Sequence, residues 1–116
     1  VGKAELYRWL STPLPIEGPR EAWLIQVFFA HNLSNEEIAN LFEKRIEALR
    51  MIHSQCQVSQ NNIDENYKQI GVKRLRDLWQ LTLDYGIDYY EYEIAWMEKA
   101  LPRVRKLPKM EIPKGR

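Results

Sequence analysis

The sequence predicts an all-α fold of about four helices, two short ones followed by two long antiparallel ones, forming a dimeric helical bundle with coiled-coil-like packing. Three observations carry that expectation. Between Ser34 and Ile70 there is neither Pro nor Gly, and Phe42, Leu49, Cys56, Ile63 and Ile70 recur every seventh residue, with Ile38, Ile46, Ile52 and Tyr67 three or four positions away. Between Val72 and Leu101 two apolar stripes run side by side, one through Leu75, Leu78, Trp79, Thr82, Tyr85, Tyr89, Tyr92 and Trp96, the other through Leu83, Ile87, Tyr90, Ile94, Met97 and Leu101. Two stripes need two packing partners. Finally, a helix over 34–70 would be about 54 Å long at ~1.5 Å per residue. A chain of 116 residues is too short to cover it alone, so part of its stripe needs a second copy.

The elements follow in order. Lys3 to Leu10 places Leu6, Trp9 and Leu10 on one face and Lys3, Glu5 and Arg8 away from it, a short amphipathic helix. Ser11 to Gly18 holds two prolines and a glycine and reads as an extended connector whose Leu14 and Ile16 pack on a neighbour. Pro19 suits the first turn of the next helix, and Glu21 complements its dipole. Ala22 to Ala30 is apolar on every side except Gln26, which describes an enclosed helix, surrounded either by the long helix of its own chain or by a partner subunit. His31-Asn32-Leu33 closes it, and Leu33 is placed to staple onto Ile38.

Ser34-Asn35-Glu36-Glu37 has the capping-box pattern, in which a Ser and the Glu three residues later satisfy each other's backbone amides. The long helix that it opens is either continuous or bent at Asn61-Asn62-Ile63-Asp64, because Ser54 to Asn66 is rich in Gln, Asn and Ser. Gly71 ends it. Pro102 stops the last helix after Leu101. Gly86 inside that helix costs roughly 1 kcal/mol relative to Ala, a cost explained if another helix approaches closely there. Residues 1–101 then form one helical domain, and 102–116, with Pro108, Pro113 and Gly115 among basic residues, form a flexible tail.

Composition limits what the chain does. Net charge is +1, but residues 1–101 carry eleven basic and fifteen acidic side chains, whereas the tail carries Arg103, Arg105, Lys106, Lys109, Lys114 and Arg116 against Glu111. The helical part therefore offers no general electrostatic footprint for nucleic acid. A single Cys excludes an internal disulfide and fits a reducing, cytoplasmic compartment. No apolar run reaches the ~18 residues that a membrane span requires, and Val1-Gly2-Lys3-Ala4 is not organised as a signal peptide.

No catalytic set, cofactor loop or metal site assembles from the remaining candidates. His53 and Cys56 lie three apart on one helix face, a spacing that two metal ligands can share, but the chain has one other His and no other Cys. Cys56 as a nucleophile lacks a positioned base, an orienting third group and a cleft. Glu36, Glu37, Glu43 and Glu47 mostly pair with Lys44, Arg45 and Arg50 at helical spacing, which describes a solvated face. The aromatics are the richer signal. Four Trp and six Tyr exceed what so small a core needs, and Tyr85, Tyr89, Tyr90 and Tyr92 cluster within two turns. They either pack along an interface, where amphipathic aromatics are enriched, or line a cavity between subunits that takes a flat organic ligand, with Trp9, Trp23, Trp79 and Trp96 as the candidates.

The order of the parts carries a resemblance. Gly2-Lys3-Ala4-Glu5-Leu6-Tyr7-Arg8-Trp9-Leu10-Ser11-Thr12-Pro13, then Phe28-Phe29 in an apolar helix, then Leu33-Ser34-Asn35-Glu36-Glu37, then Phe42-Glu43-Lys44-Arg45-Ile46-Glu47-Ala48-Leu49, and last Tyr92-Glu93-Ile94-Ala95-Trp96-Met97-Glu98-Lys99-Ala100-Leu101 resemble the C-terminal domain of PadR-like transcriptional regulators, also called the virulence-activator alpha C-terminal domain. The sequence departs from it in the polar stretch around Asn61 and Asn62 and in the basic tail. The resemblance implies a winged-helix DNA-binding domain upstream, a homodimer made by the C-terminal helices, and, as in some members, response to a small aromatic effector. On that basis Phe42, Leu49, Ile63, Trp79, Leu83, Tyr90 and Ile94 are expected to be partly buried across the two-fold axis. The competing expectation is a free-standing helical adaptor that binds another protein through the apolar helix at Trp23 to Phe29.

Overall fold

The computed structural model describes residues 2–18 and 21–109. They form helices α1 (Gly2–Ser11), α2 (Ala22–Phe28), a 3-10 turn (Ala30–Asn32), α3 (Asn35–Ser54), α4 (Cys56–Ile70) and α5 (Lys73–Arg105), with no β-strand among the described residues. Helix α5, 33 residues long, is the backbone of the fold, and α3 and α4 lie along it in succession. Cross-helix pairs set the direction: Asp64 meets Arg76, Gln60 meets Gln80, His53 meets Glu91 and Arg50 meets Glu98. As one helix ascends the other descends, so the arrangement is antiparallel throughout. The molecule is long and thin, 69 × 34 × 17 Å, with a radius of gyration of 21.1 Å. A compact chain of this length would have about 13 Å.

The α3 start is built as the sequence indicates. The Ser34 hydroxyl accepts from the Glu37 N–H at 3.1 Å, and the Glu37 carboxylate accepts from the Ser34 N–H at 3.0 Å. The Ser34 backbone N–H, and after it the Ser34 hydroxyl, hold the Glu37 carboxyl below its ordinary pKa. Leu33 remains exposed, whereas Ile38 enters the core, and both border a hollow at this helix end. Gly71 adopts the left-handed conformation, φ 72°, and its N–H returns to the Tyr67 carbonyl at 2.7 Å, closing α4 as a C-terminal glycine does.

Neither alternative for the long helix holds: it is not continuous, and its break lies not at Asn61-Asn62 but six residues earlier, at Gln55. There the Gln55 N–H bonds to Ile52 O and the Ser54 hydroxyl donates to Met51 O at 2.6 Å. A serine bonding back one turn loosens the regular ladder. Asn61 and Asn62 sit undisturbed in α4, with Asn61 accepting from the Gln57 amide at 3.2 Å. The end expected at Leu101 is also displaced, because α5 continues through Pro102 to Arg105. Proline removes one backbone donor, but Val104 enters the core, Arg105 pairs with Glu43, and the Asn35 side-chain amide donates to the carbonyls of Arg105 (3.3 Å) and Leu107 (2.9 Å). The first residues of the expected tail are therefore ordered helix. Residues 110–116 and Pro19 lie outside the described residues.

The core is confined to one end. Ala30, Ile38, Ala39, Phe42, Ile46, Leu49, Ile94, Met97 and Val104 form it, with Trp23, Val27, Tyr90, Ala100 and Leu101 against it. Helix α2 is shorter than expected and is not enclosed within the protomer. None of its residues is buried, and Phe28 is 79% exposed. Helix α1 likewise buries nothing. No helix among the described residues is long and apolar enough to cross a membrane.

Candidate functional site

The first turn of α2, the middle of α3 and the second half of α5 meet around Trp23, together with Glu21 just before α2. Its indole stands edge-on to Trp96 (5.9 Å between centroids, 66°) and to Phe42 (6.3 Å, 87°), while Phe42 and Trp96 stack at 6.4 Å. Arg45 from α3 lies over the Trp23 ring with its guanidinium carbon 4.5 Å from the centroid. The same guanidinium reaches Glu21 at 3.4 Å and Glu93 at 3.1 Å. Glu21 also accepts from the Trp23 indole N–H and from the Tyr89 hydroxyl, which is within 3.1 Å of Glu93 as well.

The electrostatics follow from those partners. The Tyr89 hydroxyl, then the Trp23 indole and Arg45, favour the ionised form of Glu21 and hold its carboxyl below its ordinary pKa. Donating to Glu21, together with burial and proximity to Glu93, pushes the Tyr89 phenol well above its ordinary pKa, so it stays a proton donor. Two carboxylates share one arginine, leaving the cluster one negative charge in excess.

Beside this cluster, Trp23, Leu24, Tyr92, Glu93 and Trp96 line a cleft of about 280 Å³ between α2 and α5. A second hollow, of about 130 Å³, shares Trp23 and is walled by Gln26, Val27, Leu41, Phe42, Arg45 and Met97. A further groove, of about 490 Å³, lies between the Gln55 break and α5, with Cys56 on one side and Trp79, Leu83, Gly86 and Tyr90 of α5 on the other.

The four expected ligand-binding tryptophans thus fall into three places. Trp23 and Trp96 come together, Trp79 lines the α4–α5 groove, and Trp9 stands exposed on α1. Among the residues expected at a dimer interface, Phe42, Leu49 and Ile94 are already buried in the protomer's own core, whereas Ile63, Trp79, Leu83 and Tyr90 are half-buried along the α4–α5 arm. The local pairing expected on α3 is not what forms: Arg45 takes Glu21 and Glu93, Arg50 takes Glu98, Glu43 takes Arg105, and Glu37 is engaged in the Ser34 cap. His53 engages Glu91 at 3.1 Å, and among the described residues no group of three His, Cys, Asp or Glu is placed to hold a metal. Sequence reasoning missed the joint role of Glu21, Arg45, Tyr89 and Glu93. The visible signal was the i, i+4 pairing of Tyr89 with Glu93, which puts both on one face of α5.

The family model described as virulence activator alpha C-term matches residues 19–105. The chain belongs to the virulence activator alpha C-terminal family. Among solved structures, a PadR-like transcriptional regulator from Bacillus cereus shares the fold, with a TM-score of 0.65 at 19% identity over 89% of this chain. The chain spans 58% of that regulator's length. No curated protein matches. The family match begins at residue 19 and ends at Arg105, so it takes in α2 to α5 and the whole Trp23 cluster and leaves out α1.

Proposed function

We propose that this chain is the dimerisation module of a PadR-like transcriptional regulator, holding two upstream winged-helix domains at the separation that their DNA half-sites require. The observation that carries the reading is the α4–α5 arm. It contributes no residue to the core before Ile94, yet aligns Ile63, Trp79, Leu83 and Tyr90 along one long antiparallel pair. Surface supports it: the chain exposes 10232 Å², about half as much again as the ~6,700 Å² of a compact monomer of 13.9 kDa. A homodimer interface of 2,000 Å² or more is the ordinary way to bury such an excess. A two-fold pairing of the arms fixes the distance between the two N-termini, and hence between reading heads in successive major grooves. DNA contact then belongs to the upstream domain, in keeping with the acidic balance of residues 1–101. A small aromatic effector that altered the arm geometry would alter that distance. Such a regulator works in the cytoplasm and performs no catalysis.

The alternative, a free-standing adaptor, is favoured by one observation, the exposure of Ile25 and Phe28 on α2 and of Phe29 just after it. Light scattering across a dilution series separates the two readings. A dimer that persists on dilution and is dispersed by Ile63→Asp with Leu83→Asp supports the dimerisation module. A monomer at every concentration removes it and leaves the adaptor.

A further inference from the structure

We propose that the cleft between α2 and α5, lined by Trp23, Leu24, Tyr92, Glu93 and Trp96, is a binding site for a small organic cation of the alkylammonium or amidinium type. The inference rests on the effector-sensing part of the reading above and names the chemistry of the effector. It does not depend on dimerisation.

Three observations converge. The walls are aromatic: Trp23 and Trp96 pack edge to face, 5.9 Å between centroids, each also against Phe42, and Tyr92 lines the cleft beside them. Electron-rich ring faces attract cations and are indifferent to, or repel, anions. The polar residue in the lining is a carboxylate, Glu93, whose side chain is only 11% exposed. Around it Glu21 and Glu93 together outnumber Arg45, so the local potential is negative, and low-dielectric walls focus it into the cleft. Third, the protein already demonstrates the recognition with a group of its own. The Arg45 guanidinium rests 4.5 Å over Trp23 while paired with Glu21 and Glu93, and Arg45 lines the neighbouring hollow, not the cleft. One indole and one pair of carboxylates thus hold a planar cation on the inner side, while the cleft presents Trp23 and Glu93 again beside two further rings. A volume of about 280 Å³ admits a single substituted ring with a cationic head. A bound cation would bridge α2 to α5 and steady the least embedded helix of the packed end.

The test uses benzyltrimethylammonium as the probe, with its neutral carbon isostere neopentylbenzene and with benzoate as comparisons, read by the indole N–H resonances of 15N-labelled protein, with light scattering on the same samples. The expected result is saturable movement of the Trp23 and Trp96 resonances with the cation, at least about tenfold weaker binding of either comparison compound, and unmoved Trp9 and Trp79. Glu93→Gln should weaken the cation about tenfold, and Tyr92→Leu, at a residue 69% exposed and so harmless to folding, about threefold. Equal binding of the neutral isostere, tighter binding of benzoate, movement of all four indoles alike, or no movement up to ~10 mM would each overturn the proposal. A dimer that ignores the cation would sink this inference and leave the dimerisation reading standing. A monomer that binds it would do the reverse.

Discussion

The two ends of α5 live in different surroundings. From Ile94 to Val104 the helix packs into α3 through Phe42, Ile46, Leu49 and Met97, with α2 and the Trp23 cluster laid across the seam. From Lys73 to Gly86 the same helix lies against α4, which contributes no buried residue, and the contact is bridged by polar groups: a reciprocal amide pair, Gln60 with Gln80 at 2.7 Å in both directions, and Arg76 with Asp64 at 3.5 Å. One end is a self-sufficient core. The other holds register without holding much free energy, since exposed ion pairs and amide pairs contribute little net stability. A region that keeps its shape but leaves its apolar residues half-covered is suited to meet a second copy.

The sharpest way to break that comparison is to attack the packed end. Phe42 is 2% exposed and touches both Trp23 and Trp96, so Phe42→Ala should destabilise the protomer by about 4 kcal/mol and disperse the indoles. Chemical denaturation followed by Trp fluorescence measures it. An arm variant such as Leu83→Asp should leave that transition nearly in place and weaken association instead. Equal damage from both would mean that the protomer is a single cooperative unit with no distinction between its ends. Leu49→Asp is uninformative about association for the same reason, because Leu49 lies in the core and its loss unfolds the chain before any interface is tested.

A smaller effect is expected from the charge cluster that fastens α2 to the packed end. Arg45→Met leaves Glu21 and Glu93 facing each other without their cation and should cost about 2 kcal/mol. Acid should act on the same contact. Because the folded state holds the Glu21 carboxyl below its ordinary value of 4.5, its contribution is complete above that pH and is lost as pH falls through the lower, folded-state pKa. Thermal unfolding at pH 7 should therefore place Glu21→Gln below the parent, and the two should converge toward pH 3. A constant gap across that range would show that Glu21 acts by shape and not by charge.

How much of this was legible follows the same division. Helix identity was readable almost throughout, because apolar periodicity, the Ser34 capping box and Gly71 are local signals that tertiary packing reinforced. Boundaries were misread where a long-range contact overruled a local rule. Pro102 is a stop signal only until Val104 finds a place in the core, whereas Asn61 is kept in the helix by a local bond, one turn back, from the Gln57 amide. The candidate cleft was half legible: Trp23 and Trp96 were marked by their residue type, but nothing in a linear pattern joins Glu21 to Arg45, Tyr89 and Glu93 across three elements. Of the two covers expected for α2, its own long helix does not enclose it, because an all-apolar helix reports that something covers it without saying that the cover lies in the same chain.

Within the arm, the amide pair tests whether register and stability are separable. Gln80→Leu leaves the Gln60 side-chain oxygen without its donor, while the Gln60 nitrogen keeps Asp64, and should cost about 1 kcal/mol, whereas Gln60→Leu with Gln80→Leu removes both polar partners and should be close to neutral. The double variant loses the directional constraint, so hydrogen exchange along α4 should become broader even where the melting temperature is unchanged. If the double variant fell as far as the sum of its parts, the pair would be a source of stability and the arm would be less dependent on a partner than its burial indicates.

The smallest expected effect is the most discriminating. A Cβ built at Gly86 meets nothing within 4 Å, and the position lies in the α4–α5 groove beside Trp79, Leu83 and Tyr90. Within the protomer, then, the glycine has no steric reason to be there, and Gly86→Ala should stabilise the helix by about 0.5–1 kcal/mol through helix propensity alone. If the partner's arm closes over this groove, the added methyl group obstructs it, and the same substitution should weaken association. The sign of the effect should consequently depend on protein concentration: a higher melting temperature when dilute, a lower one when the parent is dimeric. Stabilisation at every concentration would place the interface elsewhere on the arm, and would leave Gly86 as a helix defect with no compensating contact.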